Sequence, residues 1–408
     1  MKKNAFTLVE LLAVIAILTI IMVISVPQLI TSIKNKKTDA LEKTKDLLIS
    51  AARNYVIDYE LKVPTSISIE TLCKNDYLEC PIKNPKDNSN LNGYVNVDDN
   101  KVYVYSDTRD YITIKDYIIE LYNNEETRIR DGLKKDNTPD QNIRYYGSDP
   151  NNYVSFNNEL WRIIGVFGNN VKLVRKDSLG ELSWDSSESS VNGGYGVNEW
   201  SQADLQVYLN KMYYGGTTVT CYDGQNNHTT TCPANKLDNT AKALIDNHTW
   251  NTGAIEWEKR TDTLAFYNDE RGSVNGKICS SGNNCNDTVT RTTEWPGYIG
   301  LPYATDYAYA SGESICETNM VKKDSSNAYI CKNNNWMFKP NTWYWTLSPY
   351  ASTSRASRVC YVYSDGFVYD DGAASSGAVF PTIYLKSNIL IESGKGTSSD
   401  PYILKAGS

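Results

Sequence analysis

The chain has 408 residues, 40% hydrophobic and 22% charged, with a mean hydropathy of -0.48. These values suit two or three water-facing domains and exclude a polytopic membrane protein or a chain disordered throughout. Lys and Arg number 41 against 48 Asp and Glu, so no basic surplus argues for nucleic acid as a partner. The 30 Tyr against 7 Phe favour half-wet aromatic surfaces, and nine Cys leave one thiol over from any fully oxidised set.

The first element is an extreme hidden by that average. Met1-Lys2-Lys3-Asn4-Ala5 is short and basic, and Phe6 to Val26 is apolar except for Thr7, Glu10, Thr19 and Ser25. Such a run is long enough to cross a bilayer as a helix, for which about 20 residues suffice. The helical pattern continues past Pro27 through Leu29, Ile30, Ile33, Leu41, Leu47, Leu48, Ala51, Ala52, Tyr55 and Val56, at spacings of three, four and seven. One helix over 6–62 is expected, apolar first and amphipathic second. A carboxylate inside an apolar run costs about 2–4 kcal/mol unless partnered, so Glu10 is either functional or close enough to the helix end to snorkel to the interface.

KKNA followed by FTLVELLAVIAIL resembles the class III signal of type IV pilins and pseudopilins. The resemblance implies a leader of residues 1–5, with prepilin peptidase cutting between Ala5 and Phe6 and methylating the new amine. It also implies that Glu10 pairs with the N-terminal amine of a neighbouring subunit, and that Pro27 sits where the family's helix bends or melts in the fibre. Proline's missing N–H supplies the reason. Ala5 stands where Gly is usual. The partners implied are prepilin peptidase, other pilin subunits and, before assembly, the cytoplasmic membrane. Residues 1–60 carry eight Lys/Arg and six Asp/Glu, and Lys2 and Lys3 fit the positive-inside rule. Everything after the helix is therefore expected outside the cell.

Residues 63–106 alternate polar turns with strand-like runs, SISIETL, GYVNV and KVYVYS, and predict a small antiparallel β module. Residues 107–140 read as a connector: DYIIELYNNEETRIRDGL gives a short helix and KKDNTPDQN a polar link. Residues 141–405 hold all nine Trp, from Trp161 to Trp345. There LWRIIGVFGNNVKLVRKD predicts a hairpin through Gly168-Asn169-Asn170. Ser201-Gln202-Ala203-Asp204 reads as a helix start with a capping pattern, and LDNTAKALIDNHTW gives a second short helix. PTIYLKSNILIESG and PYILK close the chain as strands. The fold class expected is α+β: a long N-terminal helix with a small antiparallel sheet, then one loop-rich α+β domain.

Eight cysteines form near-neighbour couples, Cys73/Cys80, Cys221/Cys232, Cys279/Cys285 and Cys316/Cys331. Each closes a short polar loop, as disulfides do in an oxidising exterior; the pairing rests on proximity alone. No C-x₂₋₄-C knuckle pairs are present, and His228 and His248 read as exposed loop residues, so no metal and no cofactor are expected.

The last segment is compositionally unlike the rest. After Trp343-Tyr344-Trp345-Thr346-Leu347-Ser348-Pro349, no Lys, Glu, Gln, Asn, Met or Trp occurs between Tyr350 and Leu385. Tyr, Ser, Ala, Gly, Asp, Arg and Val fill it, close to the vocabulary of antibody contact loops. By composition it reads equally as ordinary β-hairpins with turns at Asp365-Gly366 and Asp371-Gly372, or as a contact surface. WYWTLSP, the Asp-Gly pairs and GAVFPTIYL are similar to the end of C-type-lectin-like domains of the formylglycine-generating-enzyme type. Some of these are variable proteins of diversity-generating retroelements. That resemblance implies a surface ligand, protein or cell-surface polymer, contacted by Tyr350, Ser352, Ser354, Arg355, Ser357, Arg358, Tyr361, Tyr363, Ser364, Tyr369, Asp370 and Asp371. It also makes the ninth cysteine, Cys360, a product of diversification. Sugar- and calcium-binding motifs of lectins proper and the redox Cys pair of the formylglycine enzymes are absent. No nucleophile, zinc-helix or phosphate-loop pattern occurs either.

The expected function is a minor or tip pilin-like adhesin on the cell surface, and not an enzyme. A pseudopilin of a secretion or uptake apparatus with a structural C-terminal domain is the second reading, and a membrane-anchored extracellular enzyme the third.

Overall fold

The structure, a computed structural model, describes residues 8–107, 109–256, 262–274, 277–278, 287–320, 328–352 and 354–407. It has two compact units, 1–112 and 113–407, and its class is α+β.

In the N-terminal unit, α1 (Leu8–Asp58) is one helix, continuous through position 27. Leu8, Val9, Leu11, Leu12, Ile17 and Ile20 on its first half are exposed. Ala5 and Phe6 lie outside the described residues, as does part of the Phe6–Val26 run. Among the described residues no helix is long and apolar enough to cross a membrane. The second half is amphipathic, and Leu48, Ala51, Ala52 and Val56 bury one face. They meet Ile67, Val95 and Val97 of a three-stranded antiparallel sheet formed by β1 (Thr65–Ser68), β2 (Tyr94–Val97) and β3 (Tyr103–Ser106). The run SISIETL is half strand: its second part begins α2 (Ile69–Lys74), because the Ser68 hydroxyl accepts from Thr71 N at 2.9 Å and caps a helix there. Cys73, in α2, forms a disulfide with Cys80 beyond the helix end.

The connector expected over 107–140 is corrected by the structure. From Thr113 onward the chain belongs to the C-terminal unit. The segment forms α3 (Ile114–Asn123), α4 (Glu125–Arg130) and β4 (Leu133–Lys135). The physical reason is apolar spacing: Ile114, Ile118 and Leu121 line one face of α3 and enter the main core with Leu133. Asn124 leaves the helical region, with ψ 122°, and its side chain caps α4 through Thr127 N.

The main sheet then builds from β5 (Ile143–Tyr145), β6 (Tyr153–Phe156), β7 (Glu159–Phe167) and β8 (Asn170–Arg175). β7 and β8 are the predicted hairpin, turning at Gly168 with φ +57°. β9 (Glu181–Ser183) follows. The predicted helix near Ser201 begins later, with α5 (Asp204–Val207) and a π-helical turn over Tyr208–Tyr214. Ser201 is no cap, since its hydroxyl donates to Glu199. Asn239–Leu244 forms the second helix, α6, capped by Asp238 through Ala241 N at 2.7 Å. Between and after these lie β10 (Cys221–Gly224), β11 (His228–Thr230), β12 (His248–Asn251), α7 (Thr263–Glu270), β13 (Ser273–Val274), β14 (Lys277–Ile278), β15 (Glu294–Gly297), β16 (Ile299–Gly300), α8 (Ala304–Tyr309) and α9 (Ile315–Thr318). Finally come β17 (Tyr344–Pro349), β18 (Arg358–Val362), β19 (Val368–Gly372), β20 (Ser376–Ala378), β21 (Thr382–Tyr384), β22 (Ile389–Ser393) and β23 (Tyr402–Ala406).

Nine strands make the main sheet, in the order β16-β21-β8-β7-β6-β23-β22, with β4 paired to β5 and β5 to β7. A second sheet of five strands runs β19-β18-β17-β20-β9. Trp161, Trp184, Trp200, Trp250 and Trp345 are fully buried, while Trp257 lies outside the described residues. Cys221–Cys232 and Cys316–Cys331 are disulfides, whereas Cys279 and Cys285 lie outside the described residues. His228 is exposed and sits 2.6 Å from Asp223. His248 is not a loop residue: it lies in β12 and stacks on Tyr384 at 3.6 Å.

If 113–124 is core rather than connector, Ile118→Ala should cost about 2–5 kcal/mol of stability. Chemical denaturation of the detergent-solubilised chain, followed by tryptophan fluorescence, measures this, since the buried Trp residues belong to that unit. An unchanged midpoint would return the segment to the role of a connector.

Candidate ligand-binding surface

The segment singled out by composition holds β18 and β19, which with the preceding β17 form one edge of the five-stranded sheet. Its register places Trp345 opposite Tyr361, and Tyr361 opposite Tyr369. Successive side chains of a strand point to opposite faces, so this register divides the segment in two. Cys360, Val362 and Val368 face inward and are buried at 0–1% exposure. Trp343, Tyr361, Tyr363 and Tyr369 gather on the other side. Tyr361 and Tyr369 stack with centroids 5.8 Å apart. Tyr363 meets both edge-on, at 6.2 and 5.6 Å, and Trp343 meets Tyr361 at 4.9 Å. Each such pair is worth about 0.5–1.5 kcal/mol beyond its buried area, which orders the rings while leaving Tyr363 40% exposed.

Carboxylates border the rings. Asp365 accepts from the Tyr369 hydroxyl at 2.8 Å and, through its other oxygen, from Phe367 N. It thereby fixes the β18–β19 turn, where Gly366 takes φ +91°. Burial, with Asp371 and Asp370 nearby, pushes the Tyr361 hydroxyl up to about 12. Burial also raises the Asp370 carboxyl, against the opposing pull of Arg358. Arg358 lies 3.6 Å from Asp370 and 3.3 Å from Asp371, and Asp371 accepts from Ser375. The expected turn at Asp371-Gly372 is instead the end of β19, because Gly372 pairs with Arg358 and a Cβ there would meet the Tyr195 ring.

The twelve sequence-predicted contact residues do not share one surface. Tyr361, Tyr363 and Tyr369 form the aromatic face, with Asp370, Asp371 and Arg358 at the strand end. Ser354 and Arg355 are exposed on the preceding loop, and Ser357 and Ser364 are half-buried. Two expectations are corrected. Tyr350, 3% exposed, belongs to the second core cluster with Ile255 and Cys360. Ser352, 9% exposed, turns its hydroxyl to Ser354 N and its carbonyl to Thr288 N. Both lie where the chain still packs inward after β17. Cys360 is a free, fully buried thiol whose pKa burial drives upward; facing the core, it does not fit a diversified contact position. Sequence reasoning missed Trp343 and Asp365. The first was legible, since Trp343 and Trp345 two apart share a strand face. Among the described residues no group of three or more His, Cys, Asp or Glu is arranged to hold a metal.

Residues 1–26 match the family described as the prokaryotic N-terminal methylation motif. The motif supports a type IV pilin-like or pseudopilin protein. It implies processing by prepilin peptidase and assembly with other pilin subunits, and a membrane-anchored precursor that moves to a pilus or the cell surface. No curated protein and no solved structure matches the chain.

In the folded chain, the Cys360 peptide should stay unlabelled by maleimide near pH 8 and label fully in denaturant, because a buried thiol is neither ionised nor reachable. Peptide mass spectrometry reads the difference. Equal labelling in both conditions would mean that β18 is open to solvent.

Proposed function

We propose that the chain is a minor, tip-located pilin-like adhesin that displays the C-terminal unit to a surface ligand, a protein or cell-surface polymer. On this reading Glu10 sets register with the neighbouring subunit, and the unit at 113–407 is a C-type-lectin-like binding domain rather than an enzyme. The observation that supports it best is the half-exposed group of Trp343, Tyr361, Tyr363 and Tyr369. Rigid amphipathic rings bordered by carboxylates and an arginine are what contact surfaces use, and a purely structural sheet edge has no need of them. On this reading the outward-facing Arg355, Tyr361, Tyr363 and Tyr369 are the positions that retroelement diversification would vary. The coding DNA tests that part: a near-copy of the region encoding 340–385, beside a reverse transcriptase, is expected.

Glu10→Ala should abolish incorporation into fibres, scored by immunogold labelling of sheared pili, without lowering the amount of membrane precursor. Normal incorporation would remove the assembly role of Glu10. The double variant Tyr363→Ser, Tyr369→Ser should assemble normally yet lose about thirtyfold in adhesion, as truncation of hot-spot aromatics costs ~2 kcal/mol or more. Adhesion at the parent level would favour a structural domain in a secretion or uptake pseudopilin.

A further inference from the structure

Lys172 Nζ and Asp306 Oδ2 meet at 2.5 Å, with side-chain exposures of 0% and 1%. β8 carries the lysine and α8 the aspartate, 134 residues later. On its remaining sides the ammonium faces rings: Tyr303 at 4.1 Å, Phe167 at 5.4 Å, Tyr384 at 5.5 Å and Trp250 at 5.7 Å. Asp306 Oδ1 accepts from Arg144 Nη1 at 2.8 Å, and Tyr303 N donates to Oδ2 at 2.9 Å. Burial alone would raise the Asp306 carboxyl, but Lys172 and Arg144 outweigh it and hold it below the usual range, so the site assembles as an ion pair. Burial pulls the Lys172 ammonium down to about 8, which makes the free amine accessible near neutral pH.

We propose that Lys172 and Asp306 condense into an intramolecular amide cross-link, releasing one water. The lysine supplies every proton required. The ammonium first passes one proton to Oδ2 across the short contact, giving a neutral amine and a neutral acid. Nζ then attacks Cγ, forming the C–N bond, and negative charge grows on Oδ1 where the Arg144 guanidinium already donates. A preorganised donor at that position is the arrangement that stabilises such an oxyanion. A second proton moves from Nζ to Oδ2, the Cγ–Oδ2 bond breaks, and water leaves. The third proton remains as the amide N–H. No external acid, base or oxidant is consumed.

Two further observations favour the condensation. Holding amine and carboxyl in contact inside a dry pocket supplies the large effective concentration that makes unimolecular condensations feasible. The charges also stay matched. Arg144 and Lys172 balance Asp136 and Asp306 beforehand, and Arg144 and Asp136, 2.6 Å apart, still balance once the other two are neutral. The product thus removes two desolvated ions from the core. Arg144 Nη2, buried and without a hydrogen-bond partner, is a donor uncommitted to the protein.

The test is peptide mass spectrometry on the folded full chain, reduced, alkylated and digested with trypsin. A single species is expected in which the Lys172 and Asp306 peptides are joined, one water lighter than their sum, with cleavage after Lys172 lost. Two separate peptides of full mass, with cleavage at Lys172, would overturn the proposal. That readout on the unaltered chain needs no variant to fold. Lys172→Met should then abolish the joined species, and a joined species surviving in it would place the link at another lysine and equally overturn the assignment.

Discussion

Asp306 is the point on which the C-terminal unit turns. Its carboxylate receives Arg144 from β5 and Lys172 from β8 while its backbone begins α8, so two strands of the main sheet and a helix are referenced to one side chain. Asp136 closes the set by accepting from Arg144 at 2.6 Å, held in turn by Thr138 and Asn142. Each charge here would cost several kcal/mol alone in such surroundings and is tolerable only because its partners are present. An arrangement of that kind admits one packing: sliding β8 by a residue would carry Lys172 to the other face and leave Asp306 and Arg144 mismatched. Glu270, beside this set and bonded to Thr305 and Ser348, is raised by burial.

The same constraint explains why much of the unit was legible in the sequence and its centre was not. The β7–β8 hairpin announces itself by two apolar runs and a turn carrying Gly168, and α6 by Asp238 three residues ahead of Ala241. These are local signals. Lys172, Arg144 and Asp306 look like solvated charges in sequence, and nothing in a window around any of them says that the three meet. The connector is a gentler case. Ile114, Ile118 and Leu121 have core spacing, but the polar run KKDNTPDQN beside them has the composition of a linker. Those polar residues are partly inside too, because Asp136 accepts from Arg144 and is held by donors on Thr138 and Asn142.

The candidate surface divides along similar lines. Composition located the strand pair correctly, since a stretch of Tyr, Ser, Gly and Asp without Lys or Glu is a property of the segment as a whole. Facing is a property of pairing, and pairing is non-local. Once Trp345 is opposite Tyr361 and Tyr361 opposite Tyr369, the alternation sends Cys360 and Val362 inward. Tyr350 and Ser352 fall on the packed side for the same reason: Tyr350 N bonds to Arg358 O and Ala351 N to Ile255 O, which binds the start of the loop to the core before Ser354 and Arg355 emerge.

This division sets what a substitution costs on each face of the strand edge. The inward-facing Cys360, Val362 and Val368 pack with Tyr307 and Tyr344 in the second core cluster. Thr346 adds a hydroxyl bonded to the Cys360 carbonyl at 2.6 Å. Those contacts hold the strands whether or not the outward residues are aromatic. Asp365 and Gly366 set the turn through backbone geometry, and Trp345 is tied by its indole N–H to the Leu182 carbonyl at 3.0 Å. Outward residues therefore contribute ring-to-ring stabilisation of order 1 kcal/mol per pair, while inward ones carry cavity costs several times larger. Replacing Tyr363 or Tyr369 therefore removes ring contacts at the sheet edge, whereas truncating Val362 or Val368 opens a cavity in the core.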